Sequence, residues 1–547
     1  MNLIEISLPR AKKVQVAEGT PVGDVLQECT DVLAAEVGHL TVGLDYRLIR
    51  SAVVQPLTYR SRAGNEVYRR SLSFVLNVAA SRVIPGVKLV IGHSLGGGFY
   101  FDYSGIDVLT DELLSKIENE MKNIVKADEK IEVEYYSVKA AIELFEKAGR
   151  VDKVNLLRRT YLHDIAVYGL QGFIDMPIGP LAPSTGRLSR FELVNYQPGF
   201  VLRFPKKGDI SKMPPAADQT RLFAVYHESK SWSRILRVQN VGELNEISAR
   251  GDFEKIVQIA EALHEKRIAK IADQIHDRID KSRLVFIAGP SSSGKTTFAK
   301  RLMVQLRVNG LRPVAVGMDD YFVNREDTPL DSRGEYDFES IDALDTKTFN
   351  ENIVGLISGK EIMAPKFDFK VGKRVGDGHP MRLEDDQVIL VEGIHGLNDK
   401  LTPDLSPDKK FKIYVSALTQ LTIDDLNRIP TTETRLLRRM VRDRKYRGYS
   451  AADTIKRWPS VIRGEAKNIF PFQESADVIF NTALLYELAV LKRLARKALE
   501  EVDPEEPEFN QARQLLDFLR LFIEVESDAV PPTSILREFI GGSSFNY

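Results

Sequence analysis

A single cysteine, Cys29, stands among 547 residues, which excludes an internal disulfide and any zinc site built from several thiolates. The opening residues MNLIEISLPR lack a basic-then-apolar leader. Together with the near-absence of thiols, this points to a reducing cytoplasm. An excess of one charge is also missing, with 76 Lys and Arg against 77 Asp and Glu. Such balance gives no global pull toward nucleic acid or anionic lipid, so any RNA contact needs a local basic face. No apolar run approaches the ~20 residues that cross a bilayer, and no membrane partner is expected. Length, by contrast, is ample. A chain this long outgrows one core, and roughly three or four domains are expected.

The first 60 residues alternate short β-type runs (LIEISL, KVQVAEG, LTVGLDYRLI) with PVGDVLQECTDVLAA. There Val22, Val25 and Leu26 fall at i, i+3 and i+4 and predict a helix. Residues 63–225 mix strands (VKLVIG, KIEVEYYSV, FVLRFP) with amphipathic helices (DELLSKIENEMKNIV, AAIELFEKAG). The Pro- and Gly-rich stretch at 173–187 predicts irregular backbone. Residues 226–280 read as a charged helical connector. From 282 onward, the apolar runs SRLVFIAG, RPVAVGM, QVILVEG, KFKIYVSA and ADVIFNTA alternate with helix-length segments. That rhythm predicts a parallel sheet covered on both faces. Residues 501–547 read as an acidic linker and an apolar helix that packs back on the chain.

Two motifs compete for the chemistry. Gly92-His93-Ser94-Leu95-Gly96 fits the G-x-S-x-G pattern of a serine hydrolase's nucleophile elbow. An elbow needs a helix directly after the serine, but LGGGFYFDYSG follows, three glycines and a β-type aromatic run. A tight or bulged β connection is therefore expected, with no catalytic role for Ser94.

The second motif, Gly289-Pro290-Ser291-Ser292-Ser293-Gly294-Lys295-Thr296, fits G-x-x-x-x-G-K-[ST]. It stands between a strand-like LVFIA and a helix-like TTFAKRLMVQL, as a phosphate-binding loop requires. Gly289, Ser291, Ser292, Ser293, Gly294, Lys295, Thr296 and Thr297 are the expected ATP-phosphate contacts. Lys295 would reach the terminal phosphates, and Thr296 would offer its hydroxyl to Mg2+. The run VAVGMDDYF ends in Asp319 and Asp320, beside the loop if the sheet is parallel. One of them would orient or deprotonate an attacking hydroxyl, or else serve as a cap or a water-held Mg2+ partner. QVILVEG ends in Glu392, a second candidate near Mg2+. In TTETRLLRRMVRDRKYRG, Arg435, Arg439 and Arg442 share one helical face. Acidic partners at i+4 look few, so these arginines suit a lid over transferring phosphate.

Residues 282–500 resemble the uridine kinase/phosphoribulokinase family of P-loop kinases. The motifs that carry the likeness are GPSSSGKTT, MDDYF, YDFESIDALD, APKFDF followed by Arg374, VEGI and TRLLRRMVRDRKYRGYS. The resemblance implies a P-loop kinase fold using ATP and Mg2+, with Asp319 as base and Lys295, Arg439 and Arg442 in catalysis. It implies Thr296 and Glu392 at the metal, and Asp320, Tyr321, Glu339, Phe367, Asp368 and Arg374 around the acceptor. Glu339 stands where nucleoside kinases carry a ribose-binding aspartate. Phe367 and Gly372 replace a base-reading tyrosine and histidine.

Residues 1–62, with LPRAKKVQVAEGTPVGDVLQ, resemble a TGS β-grasp module. Residues 63–225 are similar to the α+β editing domain of threonyl-tRNA synthetases. The carrying pieces are YRRSLSFVLNVAA, VKLVIGHSLGGGFYFDYSG, LTDELLSKIENEMKNIVKAD and FIDMPIGPLAPSTGRLSRFELVNY. The editing family's histidines are absent from RRSLSFVL, and the turn reads Pro177-Ile178-Gly179-Pro180-Leu181, so editing hydrolysis is not expected. The whole reading is multidomain: a β-grasp at 1–62, an editing-like domain at 63–225, the connector at 226–280, the kinase-like domain at 281–500 and a helical tail at 501–547. The expected activity is phosphoryl transfer from ATP to a small-molecule hydroxyl, foremost a nucleoside 5'-hydroxyl. A sugar or sugar-phosphate acceptor stands as the alternative, as does an RNA-binding regulatory ATPase that uses residues 1–225. Self-association into a homo-oligomer is left open.

Overall fold

A computed structural model of the chain describes residues 2–9, 12–162, 164–331, 334–368 and 371–546. Arg10 and Ala11 of the LPRAKK run and Phe369 of APKFDF therefore lie outside the described residues. The front five strands are β1 (Leu3–Ser7), β2 (Lys13–Ala17), β3 (Ala34–Val37), β4 (Leu40–Val42) and β5 (Ala52–Leu57), in sheet order β2-β1-β5-β3-β4. Strands β1 and β5 run parallel, with Ile6 opposite Ala52. The helix expected across residues 21–35 is only one turn, α1 (Val22–Val25), and Ala34–Val37 is a strand instead. The turn buries Val22 and Leu26 in the small core. Past it the polar Cys29-Thr30-Asp31 breaks the helical face, and pairing of β3 with β5 captures the remainder.

The long helix α2 (Arg62–Val83) starts on Ser61, whose hydroxyl accepts from the Gly64 N–H as an N-cap. It lies beneath a four-stranded sheet, β11-β12-β7-β6, made from β6 (Lys88–Leu95), β7 (Gly98–Ser104), β11 (Glu192–Tyr196) and β12 (Gly199–Arg203). Between these run α3 (Asp111–Ala127), β8 (Glu132–Ser137), α4 (Val138–Lys147), α5 (Val151–Leu157), β9 (Asp164–Leu170) and β10 (Phe173–Asp175). The stretch expected to be irregular at 173–187 thus begins with a short strand paired to β9.

Three helices follow, α6 (Thr220–Ile235), α7 (Val241–Ala249) and α8 (Phe253–His276). They are no loose tether. Ile268, Ile271 and Ile275 of α8 join the largest apolar cluster of the molecule, together with residues of the parallel sheet and the C-terminal helices.

That sheet has the order β14-β19-β13-β20-β21, every neighbour parallel. The chain reaches it through β13 (Leu284–Ala288), α9 (Lys295–Val308), β14 (Arg312–Gly317) and α10 (Thr346–Ile357). Two small antiparallel pairs come next, β15 (Ile362–Ala364) with β18 (His379–Met381) and, between them in the chain, β16 (Phe367–Asp368) with β17 (Lys373–Arg374). The chain then continues through β19 (Gln387–Glu392), β20 (Lys410–Ser416), α11 (Thr431–Arg447), α12 (Ala451–Asn468) and β21 (Val478–Asn481). It ends with α13 (Glu487–Leu499), α14 (Phe509–Leu519) and α15 (Arg537–Ile540). All five residues of β13 are buried, as a central strand covered on both faces demands. The sequence expectation of a mixed architecture with a C-terminal, helix-flanked parallel sheet is met.

Residues 417–430, between β20 and α11, fasten the front of the chain to this sheet. Asn427 Nδ2 donates to the Met176 carbonyl (2.9 Å), and its Oδ1 accepts from the Ile178 N–H (2.9 Å). Lys153, fully buried, pairs with Asp175 (2.6 Å) and Asp424 (2.8 Å). No described helix is long and apolar enough to cross a membrane.

Candidate active site

In an open parallel sheet, groups that follow the C-terminal ends of neighbouring strands meet along one edge. Here the 289–294 loop follows β13, Asp319 and Asp320 follow β14, and Glu392 closes β19. The loop is shaped by close contacts that its glycines permit. A Cβ on Gly289 would lie 2.0 Å from the Val415 carbonyl oxygen of β20. Gly294 adopts φ +86°, and a Cβ there would meet Ile535 at 2.5 Å. Ser292 also has positive φ (+56°), which turns the chain back toward the start of α9.

Around this loop the charged groups converge on Lys295. Asp319, Glu339 and Glu392 all feel its ammonium, which opposes the effect of burial on their carboxyls. Burial raises each of the three above the ordinary carboxylate range. Asp319 keeps contact with solvent while neighbouring groups take part of its hydration. Lys295 itself donates to the Pro290 carbonyl (3.2 Å). Thr296 Oγ1 donates to Glu392 Oε1 (2.9 Å).

The fit to ATP and Mg2+ can be judged from these residues. Ser292 Oγ and Ser293 Oγ are buried and have no hydrogen-bond partner among the described residues. Orphaned hydroxyls inside a phosphate-binding loop suit an oxygen-rich ligand. No cluster of three or more metal-ligating side chains exists among the described residues. Mg2+ does not need one, because it is held by one or two carboxylates, phosphate oxygens and waters. Thr296 and Glu392 fit that role.

Helix α11 supplies cations, but with more pairing than the sequence suggests. Asp443, 1% exposed, takes Arg439 (3.2 Å), Arg442 (2.9 Å) and Arg447 (3.5 Å). The expectation of few acidic partners at i+4 is thus corrected, since Arg439 and Arg447 each lie four residues from Asp443. Arg439 also donates to Ser291 Oγ (2.9 Å), so it reaches the loop. Arg442 meets only Asp443 among the hydrogen bonds described. Arg435 is buried and holds the loop from behind. It donates to the Ser291 carbonyl (3.0 Å) and forks onto Glu465 (2.5 and 2.8 Å). Glu465 in turn accepts from the Ser291 N–H (2.9 Å).

On the acceptor side, the placement is uneven. Asp320 accepts from the Phe367 N–H (3.2 Å) and faces Lys366 (3.4 Å). Burial and the charge of Glu465 raise the Glu339 carboxyl, against the opposing charges of Arg439 and Lys295. Phe367 is buried against Phe322, ring centroids 5.9 Å apart, and Asp368 lies beside it on β16. Tyr321 departs from the expected acceptor role. It is 1% exposed, packs edge-on to Phe349 and takes a hydrogen bond from Asn352 on its hydroxyl (3.1 Å). Arg374 bonds Asp345 (3.0 Å) and the Tyr321 carbonyl (3.1 Å), which braces the cleft wall. Thr297 is fully buried, and its N–H and hydroxyl both meet Glu538.

Three supporting groups escape sequence reasoning. Arg438 carries no spacing signal, yet it is fully buried and bonds Glu487 (2.6 Å) and the Thr482 carbonyl (2.9 Å). Glu465 and Glu538 come from remote helices, and only an alignment of related chains could have linked them to the loop. Ser94 lies in a bulged β6–β7 hairpin, where its hydroxyl donates to the Gly98 carbonyl (3.2 Å). No helix follows it, so an elbow is absent.

Two parts of the chain are similar to known proteins. Residues 284–487 match the profile of the Phosphoribulokinase / Uridine kinase family. The N-terminal part is similar to threonine–tRNA ligases. That of Clostridium kluyveri is 33% identical over 199 residues, or 35% of this chain and 31% of the ligase. That of Desulforamulus reducens is 33% identical over 201 residues, with the same shares. The chain thus spans about a third of the length of these curated relatives. Among solved structures, a "Possible Uridine Kinase" from Bacillus stearothermophilus gives a TM-score of 0.25 at 19% identity, covering 38% of this chain and all of that one. D-glycerate 3-kinase from Cryptococcus neoformans gives 0.22 at 14% identity, covering 48% and 89%. Behind a front part similar to threonine–tRNA ligases, residues 284–487 of this chain thus match the model of the Phosphoribulokinase / Uridine kinase family.

Proposed function

We propose that the protein is an ATP-dependent kinase that phosphorylates a hydroxyl of a small molecule, with a nucleoside 5'-hydroxyl as the foremost acceptor. The observation that carries this reading is the G-x-x-x-x-G-K-T loop after β13, with Thr296 bonded to Glu392 at the end of β19 (2.9 Å) and Arg439 of α11 bonded to Ser291 (2.9 Å). Bound ATP supplies the phosphoryl group, and its Mg2+ spreads the charge of the phosphate oxygens. The chain's own residues bind and orient. Lys295 and the loop backbone hold phosphates, and Thr296 with Glu392 forms the metal's protein side. Arg439 approaches the loop through Ser291 and adds positive charge where negative charge develops. Asp319 takes the proton of the acceptor hydroxyl as the new O–P bond forms and the bond from the γ-phosphorus to the bridging oxygen breaks, with ADP as the leaving group. A raised carboxyl pKa makes it a better base for that purpose.

A planar acceptor is favoured by an exposed aromatic pair beside Glu339. Tyr336 and Phe338 lie 5.8 Å apart, 45% and 46% exposed. Their faces would stack on a base while Glu339 bonds ribose hydroxyls. A sugar phosphate would use Lys366 and the arginines instead. An ATP-consumption screen over nucleosides, ribulose 5-phosphate and simple polyols separates the two. Asp319→Asn should reduce turnover by roughly 100-fold or more while leaving ATP binding nearly intact. Unchanged turnover would reject the assignment of the base.

A further inference from the structure

A cavity of about 860 Å3 lies between the front part and the kinase-family domain, a size suited to a small ligand. Its walls include Arg69 and Arg70 of α2, His93 of β6, Arg428 from the 417–430 segment and Glu433 in the first turn of α11. Three of these guanidiniums arrive from two separate parts of the chain. Arg69 Nε and Arg428 Nε are buried and have no hydrogen-bond acceptor among the described residues. The hydroxyl of Thr431, at the start of α11, is likewise buried and unpartnered. These arginines are half-buried, Arg70 also donates to the Pro180 carbonyl (2.8 Å), and the unmet Nε donors of Arg69 and Arg428 suit an anion in the same chamber.

The local charge supports this. Arg62 pairs with Glu66 across 3.1 Å. The three guanidiniums share two carboxylates, Glu66 beside Arg69 and Arg70 and Glu433 beside Arg70 and Arg428, and burial pushes the Glu433 carboxyl up to about 7. His93 is neutral, since burial and the Arg428 charge push its pKa down to about 3. Apolar surface adjoins the cations: Arg428 stacks 4.8 Å from the Phe99 ring, and Ile91 and Ile178 line the same space.

We propose that this cavity binds a small phosphate ester, its phosphate gripped by Arg69, Arg70 and Arg428 and its organic part resting on the apolar wall. Guanidinium forks match a tetrahedral phosphate better than a point cation does, and several together favour a dianion over a single carboxylate. The cavity adjoins the phosphate-binding loop, because Pro290 and Arg435 also line it. Arg435 of α11 in turn holds the Ser291 carbonyl and Glu465. A ligand there would be positioned to alter the loop's affinity for nucleotide.

The test uses the full chain with its P-loop saturated by a non-hydrolysable ATP analogue and Mg2+. Calorimetry with phenyl phosphate should show binding that Arg428→Ala weakens by at least about tenfold. Benzoate should bind more weakly than phenyl phosphate. Arg69→Lys, which keeps the charge and loses the fork, should give an intermediate loss and guards against a folding defect in the first variant. Binding unchanged by either substitution would overturn the proposal. So would full competition by the ATP analogue, equal affinity for benzoate, or no heat at millimolar phenyl phosphate. A short RNA that binds where phenyl phosphate does not would replace the metabolite with an RNA end.

Discussion

Glu538, near the C-terminus, accepts hydrogen bonds from both the N–H (3.2 Å) and the hydroxyl (2.8 Å) of Thr297 in the first turn of α9. A carboxylate at a helix N-terminus satisfies orphan donors and meets the positive end of the helix dipole. The tail therefore braces the same turn that begins with Lys295. Phe539 adds to the brace, with the buried Arg438 guanidinium 5.1 Å from its ring. Glu538→Ala should lower stability by about 1–2 kcal/mol. It should also make α15 cleavable by protease before the remainder of the chain unfolds. An unchanged melting temperature and cleavage pattern would show that the tail packs independently of the loop.

The Lys153 ammonium joins Asp175 of the front part to Asp424 beyond β20, all three buried. Removal of one member leaves uncompensated charge in a low-dielectric interior. Lys153→Met should cost roughly 3–5 kcal/mol. It should also split thermal unfolding into two separated transitions, because the 417–430 segment loses its anchor. A single transition at the original temperature would refute this coupling.

Stability should fall as pH rises from 5 to 8, and part of that slope belongs to Glu433. Its carboxyl is raised by burial and by Glu66 to about 7, against the opposing cations Arg62, Arg428 and Arg70. A raised acid stabilises the fold below its unfolded pKa of about 4.3, and this contribution is lost up to the folded value. Glu433→Gln should flatten the slope and raise stability at pH 8 by about 2 kcal/mol, after allowance for solvent contact. Asp425, pushed by burial to about 7, keeps a residual slope in the variant. Melting curves at pH 5, 6, 7 and 8 provide the comparison.

The pH–rate profile should carry the mark of Asp319. As a base it must be ionised, and burial raises its pKa. Activity should therefore rise with pH along a one-proton limb whose midpoint lies above the usual aspartate value of about 3.9. A limb at or below that value would place the proton acceptor elsewhere, with Asp320 the next candidate.

Much of the fold was legible from residue patterns. The five apolar runs after residue 282 became the five strands of the parallel sheet, because a strand buried on both faces needs a continuous apolar sequence. The G-x-x-x-x-G-K-[ST] spacing likewise located the loop, since only glycine fits at the 289 contact and at the 294 dihedral angle. Patterns failed where a side chain's fate depended on remote partners. Helix periodicity held for Val22, Val25 and Leu26 alone, and beyond them pairing of Ala34–Val37 with β5 took precedence. Tyr321 stood within an active-site motif, yet its ring belongs to the core beside Phe349.

Local spacing thus determined which backbone could cradle phosphate and which carboxylates would follow the strand ends. Tertiary structure decided which cations are free to act. Arg435 and Arg438 are spent on buried Glu465 and Glu487, whereas Arg439 extends to Ser291. It also decided that Glu538 and the 417–430 segment would meet the loop and the front part. Sequence spacing fixes neighbours on one helix or strand. Charge pairing between elements is set only when packing removes water and brings ions from separate elements together.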